Sequence, residues 1–115
     1  MSRSANEAKL LRLVGLGVRG RLAVVGVEQV REAARRGKLK LAVVAPDASR
    51  NSLDKVVPML RAKKITIIEG PGAAALGAAV GREAAAAVGI VDRDLARGIR
   101  DVAESGSVGA HRGSV

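Results

Sequence analysis

Apolar and polar positions along this chain change period several times, and each change predicts an element boundary. From Asn6 onward, Leu10, Leu13 and Val14 recur at helical spacing with Leu11 beside them, while Lys9 and Arg12 face away. Glycines at 15, 17 and 20 are expected to end this helix. Leu22 to Val25 is a continuous apolar run, the pattern of a strand buried on both faces. Gly26 then opens a second helix. Its Val27, Val30, Ala33 and Ala34 share one face, Glu28, Arg31, Glu32, Arg35 and Arg36 lie around the other, and Gly37 stops it.

The second half of the chain repeats this alternation. Leu41-Ala42-Val43-Val44 reads as a second strand, broken by Pro46-Asp47-Ala48-Ser49. Asn51 or Ser52 is expected to cap a third helix that runs to about Lys63, with Val56, Val57, Met59 and Leu60 on its apolar side. Pro58 lies inside that helix, where a proline should bend it or remove a hydrogen bond. Ile65-Thr66-Ile67-Ile68 is a third strand, Gly70-Pro71-Gly72 a turn, and Ala73 to Val80 a short Ala-rich helix stopped by Gly81. Ala86 to Val91 is a fourth strand, and Asp92 to about Glu104 a last helix with Leu95, Ile99 and Val102 inward. Strands alternating with helices predict one sheet covered on both faces, a three-layer α/β/α sandwich. The expected organisation is a single domain over residues 5–104 and a Gly/Ser-rich, disordered tail over residues 105–115.

Composition narrows the function. The chain of 115 residues has no Phe, Tyr or Trp, so its core must be aliphatic, and recognition of nucleic acid by stacking bases on aromatic rings is excluded. Twenty Lys and Arg against eleven Asp and Glu leave a net charge of +9, which points to a polyanionic partner. The absence of cysteine excludes disulfides, zinc ribbons and thiol nucleophiles. No N-terminal stretch has the apolar run of a signal peptide, and no uncharged apolar stretch approaches the roughly 18 residues of a membrane span. A cytoplasmic protein without membrane association is expected.

Three segments could carry chemistry. Gly15-Leu16-Gly17-Val18-Arg19-Gly20 matches the dinucleotide fingerprint literally, but that mechanism needs a strand before the glycines and a helix after them. Here the order is reversed, and a glycine-rich helix exit is the better reading. Gly70-Pro71-Gly72 precedes a helix but lacks the lysine and hydroxyl of a phosphate loop, so an ordinary turn is favoured. Gly26-Val27-Glu28-Gln29-Val30-Arg31 places a glycine between a strand and a helix whose N-terminal amides point at whatever docks there. Glu28 could accept from base amino groups, and Arg31, one turn on, could reach phosphate or a guanine edge. Arg19, Arg21, Lys38 and Lys40 could gather nearby if the strand ends align. The alternative is a plain helix start with a solvated charged face. The single histidine, His111, falls in the tail, Asp92 is better explained as a helix cap than as half of a metal site with Asp94, and no set of residues supports turnover. Neither a metal, a cofactor nor catalysis is expected.

Several stretches, in order, resemble the kink-turn-binding ribosomal protein superfamily, the L-seven-Ae and L-thirty-e group, especially its small bacterial members. They are Gly26 to Ala34 with Arg36-Gly37-Lys38-Leu39-Lys40-Leu41, Ala45-Pro46-Asp47-Ala48-Ser49-Arg50-Asn51-Ser52, Leu76-Gly77-Ala78-Ala79-Val80-Gly81-Arg82-Glu83, and Val88-Gly89-Ile90-Val91-Asp92 with Leu95-Ala96-Arg97-Gly98-Ile99. The resemblance spans about residues 6–100. It implies a sandwich with a mixed four-stranded sheet, and binding to RNA kink-turns, sharp bends closed by sheared G·A pairs. It also implies a clamp made by the start of the second helix and the loop before the last strand. Gly26, Glu28 and Arg31 match the first element, with Arg31 in place of the family's lysine. Arg82, Glu83, Ala84, Ala85 and Ala86 match the second. Val27 departs from the pattern: the strongest kink-turn binders have asparagine there, contacting a guanine, and valine cannot make that hydrogen bond. The implied partner is structured RNA, kink-turn or ribosomal, within the ribosome or another ribonucleoprotein, bound by a monomer or weak dimer. Arg21, Lys38 and Lys40 complete the expected RNA-binding set. The competing expectation is a protein-interaction or dimerisation module of the same fold, with Val27 and the aliphatic loop as its patch.

Overall fold

The computed structural model describes residues 2–105. The expected disordered tail therefore lies outside the described residues, except Ser105, which closes the last helix. The elements are α1 (Ser2–Arg19), β1 (Ala23–Val25), α2 (Val27–Arg35), β2 (Leu41–Val44), α3 (Arg50–Ala62), β3 (Thr66–Glu69), α4 (Ala73–Ala79), β4 (Ala87–Ile90) and α5 (Arg93–Ser105). All four expected strands are present, shifted by a residue or less at most ends. Their order in the sheet is β1-β4-β2-β3. β4 runs antiparallel to both β1 and β2, while β3 is parallel to β2, so the sheet is mixed.

Side-chain alternation in β2 explains the three layers. Leu41 and Val43 enter a core with Leu10, Val14, Leu76 and Ile99, contributed by α1, α4 and α5. Ala42 and Val44 enter a second core on the opposite face, with Val30, Ala34, Val56 and Leu60 of α2 and α3. A strand covered on both faces has no polar side to show, which is why β2 and β4 read as unbroken apolar runs. Among the described residues no polar or charged residue is buried.

Gly15 and Gly17 overturn one expectation. They do not end α1, which continues through both to Arg19. Both are buried, and both mark close approaches. A β-carbon on Gly15 would stand 2.7 Å from the Ala79 carbonyl oxygen of α4, and one on Gly17 would stand 2.5 Å from Leu95 Cδ2 of α5. The literal dinucleotide fingerprint is therefore a helix-packing seam. Beyond Arg19 the chain turns out of the helix through Arg21, which takes the left-handed conformation (φ 63°), with the Leu22 N–H donating to the Gly17 carbonyl at 2.7 Å.

In α3 the cap lies earlier than expected. Ser49, rather than Asn51 or Ser52, caps the helix, and its Oγ accepts from the Ser52 N–H at 3.1 Å. Pro58 stands inside the helix on its exposed side, and α3 continues past it. The Asp54 carbonyl thereby lacks its helical donor. Alanine is preferred over proline in a helix interior by about 3 kcal/mol, and a freer unfolded chain takes back about 1 kcal/mol. Pro58→Ala is accordingly expected to stabilise the protein by about 2 kcal/mol, raising Tm by about 10 °C in a thermal melt.

Candidate nucleic-acid interface

Strand direction sorts the connecting segments into two ends of the sandwich. At one end lie the C-terminal ends of β1, β2 and β3 and the start of β4. Gly26, the single residue between β1 and α2, sits there with φ 103°, a conformation that glycine alone adopts without strain. Its N–H donates to the Ala87 carbonyl at 2.9 Å, and its own carbonyl accepts from the Val30 N–H at 2.9 Å to close the first turn of α2. No side chain caps this helix start. Its first amides and the positive end of its dipole thus face outward beside the loop before β4.

That loop, residues 80–86, is held by backbone. The Arg82 N–H donates to the Gly77 carbonyl (2.8 Å), the Ala85 N–H to the Ala73 carbonyl (3.0 Å), and the Ala86 carbonyl accepts from the Ala45 N–H (2.9 Å). Its chain lies directly on α4: a β-carbon on Gly77 would fall 2.6 Å from the Ala84 nitrogen and 2.7 Å from its carbonyl carbon. Ala85 is buried and Ala86 half-buried, which leaves Arg82, Glu83 and Ala84 as the exposed tip.

On α2, Glu28 Oε1 lies 3.7 Å from Arg31 Nη1, and Glu28 Oε2 lies 3.9 Å from Lys55 Nζ of α3. Pairs this long between solvent-facing groups hold little energy and can be remade on a ligand. Arg31 Nε is buried without a hydrogen-bond partner among the described residues. Val27 is half-buried and packs against the α2/α3 core. Lys55 joins this cluster although nothing in its sequence neighbourhood singles it out. Its place beside Glu28 follows from the packing of α3 on α2.

The structure thus brings Gly26, Val27, Glu28 and Arg31 to the same end as residues 82–86. It separates Arg21, Lys38 and Lys40 from them, so the expectation that these cations gather at the helix start does not hold. The Lys40 N–H donates to the Ile90 carbonyl, and Leu22, next to Arg21, accepts from the Val91 N–H. Both lie at the far end of β4, about 10 Å along the strand from Ala87 at about 3.3 Å per residue. Lys38 follows α2's C-terminus at that same far end. Arg19, in the last turn of α1, also leads to that end.

The other sequence candidates resolve structurally. The Ala73 N–H at the start of α4 donates to Asp47 Oδ1 at 2.8 Å, so a carboxylate of the chain itself occupies the place a phosphate would need after Gly70-Pro71-Gly72. Asp92 Oδ2 accepts from the Leu95 N–H at 2.8 Å, the capping role expected for it. His111 lies outside the described residues. Among the described residues, no group of three or more His, Cys, Asp or Glu could hold a metal ion, and no helix is long and apolar enough to cross a membrane.

Residues 8–102 match the family described as ribosomal protein L7Ae/L30e/S12e/Gadd45. The chain belongs to that family. Among curated relatives of this L7Ae-family chain is the RNA-binding protein YlxQ of Bacillus subtilis (strain 168), 32% identical over 84 residues, which are 73% of this chain and 84% of YlxQ. A protein of unknown function from Bacillus halodurans C superposes with a TM-score of 0.78 at 28% identity, covering 85% of this chain and 99% of that one. The Giardia lamblia 15.5kD RNA binding protein superposes with a TM-score of 0.70 at 20% identity, covering 91% of this chain and 88% of that one, a likeness of fold. The α/β/α sandwich and the family membership both agree with the sequence reading.

Proposed function

We propose that this L7Ae-family chain binds structured RNA without catalysing a reaction, and that the start of α2 and the loop before β4 form the contact. One observation carries the reading: the Gly26 N–H bonded to Ala87 joins an uncapped helix start to an exposed loop tip, making one continuous surface of backbone donors and small side chains. The YlxQ relative, named as RNA-binding, supports the partner class. Helix-start amides and Arg82 would meet phosphates, Arg31 and Glu28 would exchange their long mutual pair for base edges or phosphate, and Ala84 and the half-buried Ala86 would pack against unstacked nucleotides. A kink-turn suits this surface because its bend presents splayed nucleotides beside a narrow backbone corner.

The charge at this end is nearly balanced, which favours the protein-interaction alternative as the second reading. A titration separates them. Wild-type protein should bind a kink-turn RNA in a salt-sensitive manner near micromolar concentration, and Arg31→Ala should weaken binding about tenfold or more, the usual effect of losing one base-reading arginine. Absence of RNA binding, together with a dimer in sedimentation, would overturn the RNA reading in favour of the alternative.

A further inference from the structure

The positive charge of this protein is concentrated away from the family-type site. Around the α2 start, the connections at residues 26, 45–49, 70–72 and 80–86 carry one cation, Arg82, against Asp47 and Glu83. At the opposite end, the connections at residues 20–22, 36–40, 63–65 and 91–92 carry Arg21, Arg36, Lys38, Lys40, Lys63 and Lys64 against Asp92 alone. Arg36 is paired there with Glu32 at 2.8 Å, and Asp92 is committed to capping α5. The remaining five cations have no carboxylate partner among the described residues.

This basic end contains a hollow. About 290 Å³ in volume, it lies between the starts of β2 and β3 and the outer side of α5, and Lys40, Thr66, Arg93, Arg97 and Arg100 line it. The three arginines follow one another at i, i+4 and i+7, so α5 presents them on one side. No side chain of these four cations makes a hydrogen bond or ion pair among the described residues, and no carboxylate lines the hollow. Asp94 and Asp101 are on the same helix, but neither lines the hollow or pairs with these arginines among the described residues, so an entering anion would meet four uncommitted cations. The volume falls just below the roughly 300–1,000 Å³ of drug-sized ligand pockets and suits a compact group. Arginine forks match the oxygens of phosphate in pairs, and the Thr66 hydroxyl adds a neutral donor.

We propose that this hollow is a second RNA contact, a seat for backbone phosphate at the end of the molecule opposite the α2 start. The inference rests on the RNA-binding reading and extends it. The protein, 33 Å in its longest dimension, would hold a bent RNA at one end and a second duplex segment or distant arm at the other. Recognition here is electrostatic and independent of sequence, because arginines lining an open hollow read backbone charge and not base edges.

Two RNAs and one double variant test it. One RNA is a kink-turn with both stems trimmed short; the other has both stems extended beyond 33 Å. Arg97 and Arg100 are exposed and unpaired among the described residues, so R97Q/R100Q should fold, as circular dichroism and a thermal melt will verify. The double variant should bind the short RNA as wild type does. It should bind the extended RNA about tenfold more weakly or worse, with a log–log salt slope shallower by about 1 to 2. Poly-glutamate should compete poorly for the extended RNA compared with unrelated duplex RNA. Unchanged affinity and slope on the extended RNA, with the short RNA still bound by wild type, would overturn this inference alone. Wild type that binds the extended RNA through Arg97 and Arg100 but ignores the short one would uphold the hollow and overturn the α2 site. Binding of neither RNA would overturn both. Equal competition by poly-glutamate would overturn the assignment to RNA phosphate.

Discussion

Gly77→Ala is expected to destabilise the protein by about 3 kcal/mol, the upper part of the usual range for overpacking, and to weaken RNA binding more than tenfold. The added methyl would meet the backbone of Ala84, with the nitrogen at 2.6 Å and the carbonyl carbon at 2.7 Å, and backbone cannot rotate aside as a flexible side chain would. Relief requires the loop to lift from α4. Lifting breaks the bonds that Arg82 donates to Gly77 and Ala85 donates to Ala73, and it moves Ala86 and Ala87 away from Ala45 and Gly26. Stability and binding should therefore fail together. Urea unfolding measures the first and an RNA titration at a temperature where the variant is folded measures the second. Ala78→Ser, on the exposed side of the same helix, is the control and should change stability by less than about 0.5 kcal/mol. Tolerance of Gly77→Ala within that same margin would show that α4 does not position the loop.

Val27→Asn is expected to raise affinity for a kink-turn RNA about tenfold or more. A side-chain amide at the first position of α2 would stand beside the Gly26 corner and could donate and accept at a guanine edge, an interaction of about 1–3 kcal/mol when well formed. The same change removes a half-buried valine from the α2/α3 core, which should lower stability by about 1 kcal/mol. The two effects are separable, because the gain should appear on the kink-turn and not on a control RNA whose G·A pairs are replaced by Watson–Crick pairs. An equal gain on both RNAs, or none on either, would place base reading elsewhere.

Acid should loosen the C-terminal turn of α2 slightly. Hydrogen bonds from Arg35 and Arg36 hold the Glu32 carboxyl below its ordinary range. Its small contribution is therefore complete above the carboxyl's unfolded value and is lost as pH falls through the lower folded one. Because the group is exposed, Glu32→Gln should change the acid limb of a stability–pH curve only marginally.

Much of this architecture could be read from the sequence because local and global signals agree. Unbroken apolar runs announced doubly covered strands, and the 3.6-residue pattern of Val30, Ala33 and Ala34 announced the inner face of α2. Gly15 and Gly17 depart from the expectation for a physical reason: a glycine that admits a neighbouring helix and a glycine that ends its own helix look the same in one dimension. Only the packing of α4 and α5 on α1 distinguishes them. The candidate site was legible where it is local, at Gly26 to Arg31, and where the resemblance supplied it, at Arg82 to Ala86. Lys55 was not legible, because its place beside Glu28 depends on how α3 packs on α2. The net charge of +9 pointed to a polyanion but not to where it would lie. Arg21 is separated from the helix start by β1, which spans about 10 Å, and Lys38 and Lys40 by the length of α2, about 13 Å, so all three lie at the other end.

The most direct test of the central claim is a map of backbone amide shifts in the full chain as a short-stemmed kink-turn RNA is added. The largest shifts are expected at Gly26 to Arg31 and at residues 82–87, with residues 36–40 and 63–65 little changed. Shifts confined to that opposite end, or no shifts at RNA concentrations well above micromolar, would contradict it.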